Sequence, residues 1–355
     1  MNRPFPGLEK QLIKVVATTA DVPSKALLSK LQSAWLADPT LVDAWNIAPD
    51  DLASVVAVRS HQLKTLYPQL LQFCRRTLGM ETCPLAIAWN LWLPLAAEIA
   101  QLHQTAQRPI IQGILGIQGT GKTTLAAVLR LILSAWGYRV CQLSLDDLYR
   151  TYSDRRQLQQ IDPRMQWRGP PGTHDLDLGL KVLQQLRSGD AQPIMIPRFD
   201  KSLWDGAGDR TSPEPVSEID IVLFEGWFVG VRPIDPTTFE TAPPPIETEA
   251  DREFARAMNE QLQRYLPLWD QLDRLVVLYP KDYRLSQQWR WQAEQQMIAT
   301  GRSGMSADEV QEFVEYFWRS LHPELFLPPL IQDGDRTHLV VEIQADHTPG
   351  KIYRP

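Results

Sequence analysis

Gly116-Ile117-Gln118-Gly119-Thr120-Gly121-Lys122-Thr123 has the glycine spacing and the Lys-Thr pair of a phosphate-binding loop. Such a loop needs a strand before it and a helix after it. Ile110 to Ile117 is a short apolar run rich in β-branched residues, which predicts a buried parallel strand. Lys122 to Trp136 reads as a helix closed by Gly137. Gly116, Gly119 and Gly121 permit backbone conformations that aim N–H groups at an anion. The start of the helix adds the positive end of its dipole. In this motif Lys122 reaches the β- and γ-phosphates of a nucleotide and the Thr123 hydroxyl binds Mg²⁺.

Moving outward, strands and helices alternate. Arg139 to Leu145, Ile194 to Ile196, Ile219 to Phe224, Leu272 to Tyr279 and Leu339 to Ile343 read as strands. Gly179 to Arg187, Ala250 to Leu266 and Tyr283 to Ala299 read as helices. So does Ser306 to Ser320, with Ser306 as N-cap and Glu309 completing a capping box. The proline-rich stretch Pro233 to Thr248 is expected to be an exposed loop without regular structure. This alternation predicts an α/β fold with a doubly wound, mainly parallel sheet and ligands at the carboxyl ends of its strands.

Residues 1 to 108 read differently, as an all-helical N-terminal extension to a kinase-type domain at 109 to 355. Lys25 to Leu36 places Leu27, Leu28, Leu31 and Trp35 on one helix face, and Pro49-Asp50-Asp51 starts another helix. Trp35, Trp45, Trp89 and Trp92 are expected to anchor its core. No catalytic constellation is visible there.

The 355 residues are 44% apolar and 22% charged, ordinary for a globular protein. A net charge of −6 without a basic run does not indicate a nucleic-acid-binding face. Cys74, Cys83 and Cys141 lack metal or disulfide spacing and are expected to be buried, reduced thiols. Met1 to Ala20 lacks the charged start and apolar run of a signal peptide. Pro84 to Ala100, the most apolar stretch, holds Asn90 and Pro94 and falls short of the roughly 20 residues of a spanning helix, so a buried helix pair is expected. A cytoplasmic protein without membrane partners follows as an expectation.

Chemistry-bearing residues cluster after the strands. Glu225 ends an apolar run, where an acid can hold Mg²⁺. Asp146 and Asp147 follow the second strand in Ser144-Leu145-Asp146-Asp147-Leu148-Tyr149; one could accept the proton of an attacking hydroxyl, the other having a turn or cap role. Arg168 to Asp175 and Pro197 to Arg210 read as cationic loops suited to an anionic substrate. Within the first, His174-Asp175 can be read as catalytic or as a helix cap. Residues 282 to 305, with Arg284, Arg290 and Arg302 and two glycines, suit a lid.

In this order, Ser-x-Asp-Asp-x-Tyr and Phe224-Glu225-Gly226 resemble the phosphoribulokinase, uridine kinase and pantothenate kinase group. Arg168-Gly169, Gly172-Thr173-His174-Asp175, Pro197 to Ser202, Gly208-Asp209-Arg210, Trp227 and Trp289 to Glu294 are similar to plant-type D-glycerate 3-kinases over residues 110 to about 345. The resemblance implies phosphorylation of D-glycerate, a small anionic hydroxy acid, at its 3-hydroxyl by ATP and Mg²⁺. It implies that Gly116, Gln118, Gly119, Thr120, Gly121, Lys122, Thr123 and Thr124 hold the nucleotide, and that Thr123 and Glu225 hold the metal. Asp146 takes the position of the base, beside Lys122 and Arg290 as catalytic groups. Asp147, Tyr149, Arg168, His174, Arg198, Lys201 and Arg210 fall on the acceptor side, and Arg302 with Arg290 on the lid. Leu148 and Phe199 depart from the usual Phe and Tyr, so Phe199 offers no hydroxyl. Two rivals stand beside this reading: another small-molecule kinase of the same fold, and a nucleotide switch, against which the absence of Asn-Lys-x-Asp argues.

Overall fold

The computed structural model describes residues 6–18, 23–189, 192–299, 301 and 304–355. Among the described residues eight strands form two sheets. They are β1 (Ile110–Gly116), β2 (Val140–Ser144), β3 (Ile194–Asp200), β4 (Asp209–Val216), β5 (Ile221–Gly226), β6 (Arg274–Pro280), β7 (Leu339–Ile343) and β8 (Pro349–Tyr353). The main sheet has the order β2-β5-β1-β6-β7-β8. Its first five strands run parallel, and β8 pairs antiparallel with β7.

The period of two along each strand divides the core between the faces. Ile110, Ile114, Leu223, Val276, Leu339 and Val341 face one way, into a core shared with the N-terminal helices and the Lys122–Ala135 helix. Ile111, Leu115, Val222, Phe224 and Val277 face the other, towards the Leu176–Ser188 and Ala307–Ser320 helices. The described residues before β1 therefore form one outer layer of the sheet, packed on it through a common core.

In that layer Trp35, Trp45, Trp89 and Trp92 are buried, as expected. Trp35 Nε1 donates to Asn90 Oδ1 and Trp45 Nε1 to the Asn90 carbonyl, both at 3.0 Å. The Arg59 guanidinium lies 4.0 Å over the Trp35 ring. The expected helix pair is instead one continuous helical run, Leu85–Ala106, with a π-helical segment at Ala88–Trp92. Pro94 lies inside the run and offers no N–H to the Asn90 carbonyl four residues before it, which accepts from Trp45 Nε1 instead. By length and composition this run could cross a membrane, but 67% of its most apolar stretch is buried inside the protein. All three cysteines are buried and free. Arg354, just beyond β8, donates from Nε to the Ala44 carbonyl at 2.7 Å and pairs with Glu98.

Two further expectations are corrected. The Ile194–Ile196 strand does not join the parallel sheet. It extends into β3 and pairs antiparallel with β4, so the second cationic loop is a two-stranded ribbon with its tip at residues 201–208. Pro213 and Pro215 hid β4, since proline lacks the ladder donor; in a ribbon with open edges it is tolerated. The stretch Pro233 to Thr248 holds a 3₁₀ turn, Pro236–Thr241, and buries Phe239 and Ile246, so it is neither irregular throughout nor wholly exposed.

Candidate active site

At the carboxyl end of β1 the chain turns through Gly119 (φ +83°) and Gly121 (φ +86°) into the Lys122–Ala135 helix. Positive φ at both positions is the left-handed conformation that glycine adopts without strain. The Thr120 hydroxyl donates back to the Ile117 carbonyl at 2.8 Å, fixing the loop from beneath. On its outer side, His347 Nδ1 lies 2.9 Å from the Gly119 carbonyl, and the Trp289 ring covers Gly119. His347 and Trp289 are themselves in ring contact, with centroids 4.8 Å apart. Sequence reading did not assign His347 to the site; it lies 228 residues from Gly119 and carries no motif.

The register of the sheet delivers the acids. Glu225 on β5 stands opposite Ile114 of β1 and Ser144 of β2, between the phosphate loop and the Asp146 turn. It is only 4% exposed, and burial raises its pKa while Lys122 opposes the rise. Its Oε1 accepts from the Thr123 hydroxyl at 3.2 Å, whereas buried Oε2 has no hydrogen-bond partner among the described residues. A hydroxyl and a carboxylate with one open oxygen suit Mg²⁺, which takes few protein ligands and completes its shell with water and phosphate oxygens.

Adjacent Asp146 and Asp147 separate cleanly. Asp147 Oδ2 accepts from the Ser144 N–H at 3.0 Å and from Arg198 Nη1 at 3.1 Å, and so closes the turn. Asp146 faces a cavity of about 500 Å³ that it shares with Gln118, Lys122, Tyr149, Lys201 and Arg290. Burial works against charge on Asp146, yet Lys201, Lys122 and the Tyr149 hydroxyl outweigh it and hold the pKa down at about 2. The Lys201 ammonium, on the ribbon tip, lies 2.6 Å from Asp146 Oδ2.

His174 does not reach the cavity. It is fully buried behind Tyr149, stacked on that ring at 4.6 Å. Burial holds its pKa at about 3, so the ring is neutral. Its Nδ1 lies 2.7 Å from the Tyr265 hydroxyl, whose oxygen already accepts the Gly172 N–H at 2.8 Å. The buried Nε2 of the same ring has no hydrogen-bond partner among the described residues. Asp175 takes the cap role, accepting from Leu178 N at 3.0 Å.

Of the expected acceptor-side cations, Arg168 and Lys201 line the cavity and Arg198 and Arg210 do not. Arg198 is held by Asp147 and Glu214, and Arg210 by Asp175 at 2.9 Å and the Tyr149 carbonyl at 2.8 Å. Arg168 donates to the Gly206 carbonyl at 2.5 Å. A further cation went unread in the sequence. Buried Arg155 lines the cavity and ties down the ribbon tip through the Ala207 and Gly208 carbonyls, at 2.7 and 2.6 Å. On the Leu285–Ala299 helix, Arg290 pairs with buried Glu294, whose Oε2 also accepts the Met305 N–H at 3.0 Å. Arg302 lies outside the described residues.

No family model matches the chain. It is 31% identical over 255 residues to the chloroplastic D-glycerate 3-kinase of Arabidopsis thaliana, across 68% of this chain and 54% of the plant protein, about half that relative's length. It is 34% identical to an uncharacterized kinase of Schizosaccharomyces pombe, across 59% of this chain and 79% of the yeast protein. The solved structure of a D-glycerate 3-kinase from Cryptococcus neoformans superposes with a TM-score of 0.67 at 28% identity, covering 75% of this chain and 99% of that one. A parallel sheet that opens into a phosphate-gripping loop beside a charged cavity places the chain among the P-loop kinases. Within that class it belongs to the family that includes D-glycerate 3-kinase.

Proposed function

We propose that the chain transfers the γ-phosphoryl group of ATP to the 3-hydroxyl of D-glycerate, giving 3-phosphoglycerate and ADP. The observation that carries this reading is the cavity itself. It runs from Lys122 at the phosphate loop, past the carboxylate of Asp146, to Arg168 and Lys201 on the acceptor side. Its relation to a D-glycerate 3-kinase matched over 99% of that chain supports the choice of acceptor.

In this reading the loop N–H groups and Lys122 bind the nucleotide phosphates, and Thr123 and Glu225 hold Mg²⁺. The metal, when bound, neutralises phosphate charge. Asp146, charged near neutral pH, accepts the proton of the attacking hydroxyl. Arg290, fixed by Glu294, supplies positive charge to the negative charge on the phosphoryl oxygens. Positioning and electrostatics then supply most of the rate. Asp147, Arg198, Arg210 and His174 shape the acceptor wall without touching the acceptor. The substrate is small, and we propose neither nucleic-acid nor membrane partners.

The test is ADP release by the purified chain with ATP and Mg²⁺ against a panel of acceptors. Release that depends on D-glycerate is the expected result. Turnover of uridine or pantothenate with none on glycerate would overturn the reading.

A further inference from the structure

Lys201 holds the position that a substrate must open. Its ammonium lies 2.6 Å from the carboxylate of Asp146, the group to which a hydroxyl proton must go. While that contact lasts, a hydroxyl cannot reach Asp146 Oδ2 on the side the lysine covers. The pair is lopsided: the Lys201 side chain is 60% exposed and that of Asp146 27%. An ion pair with one exposed, flexible partner is weakly held and exchanges readily.

The rest of the ribbon tip is fixed. Arg155 grips the Ala207 and Gly208 carbonyls, Arg168 the Gly206 carbonyl, and Gly208 N donates to the Leu203 carbonyl at 2.7 Å. The Trp204 ring stacks on Tyr152 at 5.0 Å, and its Nε1 donates to Asp209 at 2.9 Å. Movement at Lys201 is thus movement of one side chain on a held backbone. Among the cations of the ribbon, Arg198 and Arg210 are committed to protein carboxylates outside the cavity, while Lys201 faces in.

We propose that Lys201 is the receptor for the acceptor's carboxylate and, until an acid arrives, the cap on Asp146. This rests on the hydroxy-acid reading above. The incoming carboxylate exchanges for that of Asp146 on the ammonium, one anion for another, with Arg168 supplying a second positive charge nearby. Asp146 is uncovered as the acid's hydroxyl comes within its reach. The hydroxyl oxygen then bonds to the γ-phosphorus, its proton passes to Asp146, and the bond from the γ-phosphorus to the bridging oxygen breaks to release ADP. Without an acid nothing competes for the ammonium, so the pair re-forms each time it opens, activation of water in the hydroxyl's place is suppressed and ATP is conserved.

Lys201→Met removes the ammonium and keeps the bulk of an exposed side chain. ADP release is measured with Mg²⁺ and ATP, first without acceptor and then over a range of D-glycerate. The expected result is acceptor-independent hydrolysis at least about fivefold above that of the unaltered chain, together with a KM for glycerate at least about tenfold higher. Lys201→Arg, which keeps the charge, returns both towards the starting values, and Asp146→Asn added to Lys201→Met abolishes the extra hydrolysis. Hydrolysis that stays flat in Lys201→Met overturns the cap, and an unchanged KM overturns the receptor. The hydrolysis arm contains no glycerate. A chain that never phosphorylates glycerate therefore fails the function reading in the second arm alone, and the cap is still judged in the first.

Discussion

The Trp289 side chain fills the space that a Cβ on Gly119 would need: a carbon built there meets Trp289 Cβ at 2.5 Å. The helix carrying Arg290 is thereby seated on the phosphate loop, and the fit holds only while position 119 lacks a side chain. Gly119 also sits at φ +83°. Gly119→Ala is expected to lift Trp289 off the loop and strain the backbone together. ATP affinity should fall by about tenfold or more while the sheet remains folded. Nucleotide titration alongside a thermal melt checks this. Unchanged affinity would mean that the loop tolerates a displaced tryptophan.

Asp146→Asn keeps the shape of the side chain and removes the base. Turnover should drop by a factor of about 10² or more, with ATP binding nearly intact. Asp147→Asn should instead weaken the Ser144 turn and release Arg198, lowering the melting temperature with turnover kept within about tenfold. Steady-state kinetics on both variants decide the matter, and a reversed pattern would move the base to Asp147.

Glu225→Gln retains a hydrogen bond to Thr123 but loses the charge that the open oxygen offers a cation. The Mg²⁺ concentration for half-maximal turnover should rise by about 10–100-fold. Metal-free nucleotide binding should change little. Turnover across a Mg²⁺ titration provides the measurement.

Asp273 binds the start of β1 to the rest of the sheet. It accepts from Arg108 at 2.7 Å, from Arg187 at 3.1 Å and from the Ile111 N–H at 2.8 Å. Burial opposes its charge, but the two arginines and the amide prevail and hold its pKa below the usual carboxylate range. A lowered folded pKa gives stability that is present above the unfolded value of about 3.9 and is lost as pH falls through the folded value. Asp273→Asn should therefore cost about 1–3 kcal/mol near pH 7. The gap from the unaltered chain should close in acid. Denaturant melts from pH 7 down to 3 test the sign.

Residues 109–355 expressed alone should not give a soluble, folded domain. Without the N-terminal helices, Ile110, Ile114, Leu339 and Val341 keep only the Lys122–Ala135 helix of the layer that covers them, and such a face promotes association. A soluble, cooperatively melting fragment with ATP affinity would show that the helical layer is dispensable.

Much of this was legible in the sequence because the deciding signals are local. The phosphate loop, the capping box at Ser306 and the apolar runs of β1, β5 and β6 each report within about ten residues of themselves. What escaped was set by distant partners. Arg155 reads as one more charge on a polar helix until Ala207 and Gly208, more than fifty residues on, place their carbonyls against it. Pro323–Ile331 is a helix despite Pro328 and Pro329, because Phe326, Leu327 and Leu330 are buried there. His174-Asp175 reads equally as a catalytic pair or a helix cap in the sequence, and it is the packing of Tyr149 and Tyr265 on His174 that decides for the cap. Asp146 and Asp147 are equivalent by composition, and only the Ser144 turn and Arg198 tell them apart.

The bond from Arg354 to the Ala44 carbonyl spans 310 residues, and Arg354 also holds Glu98 in the same layer. On the ribosome, at about 5–20 residues per second, the helices around Ala44 emerge roughly 15–60 s before the arginine that fastens them. For that interval the clasp is missing, and until β1, β5 and β6 have emerged the apolar side of those helices has no sheet to rest on. The chain should therefore be a client of holding chaperones during its synthesis, and slowing translation should lengthen its exposure rather than help it fold.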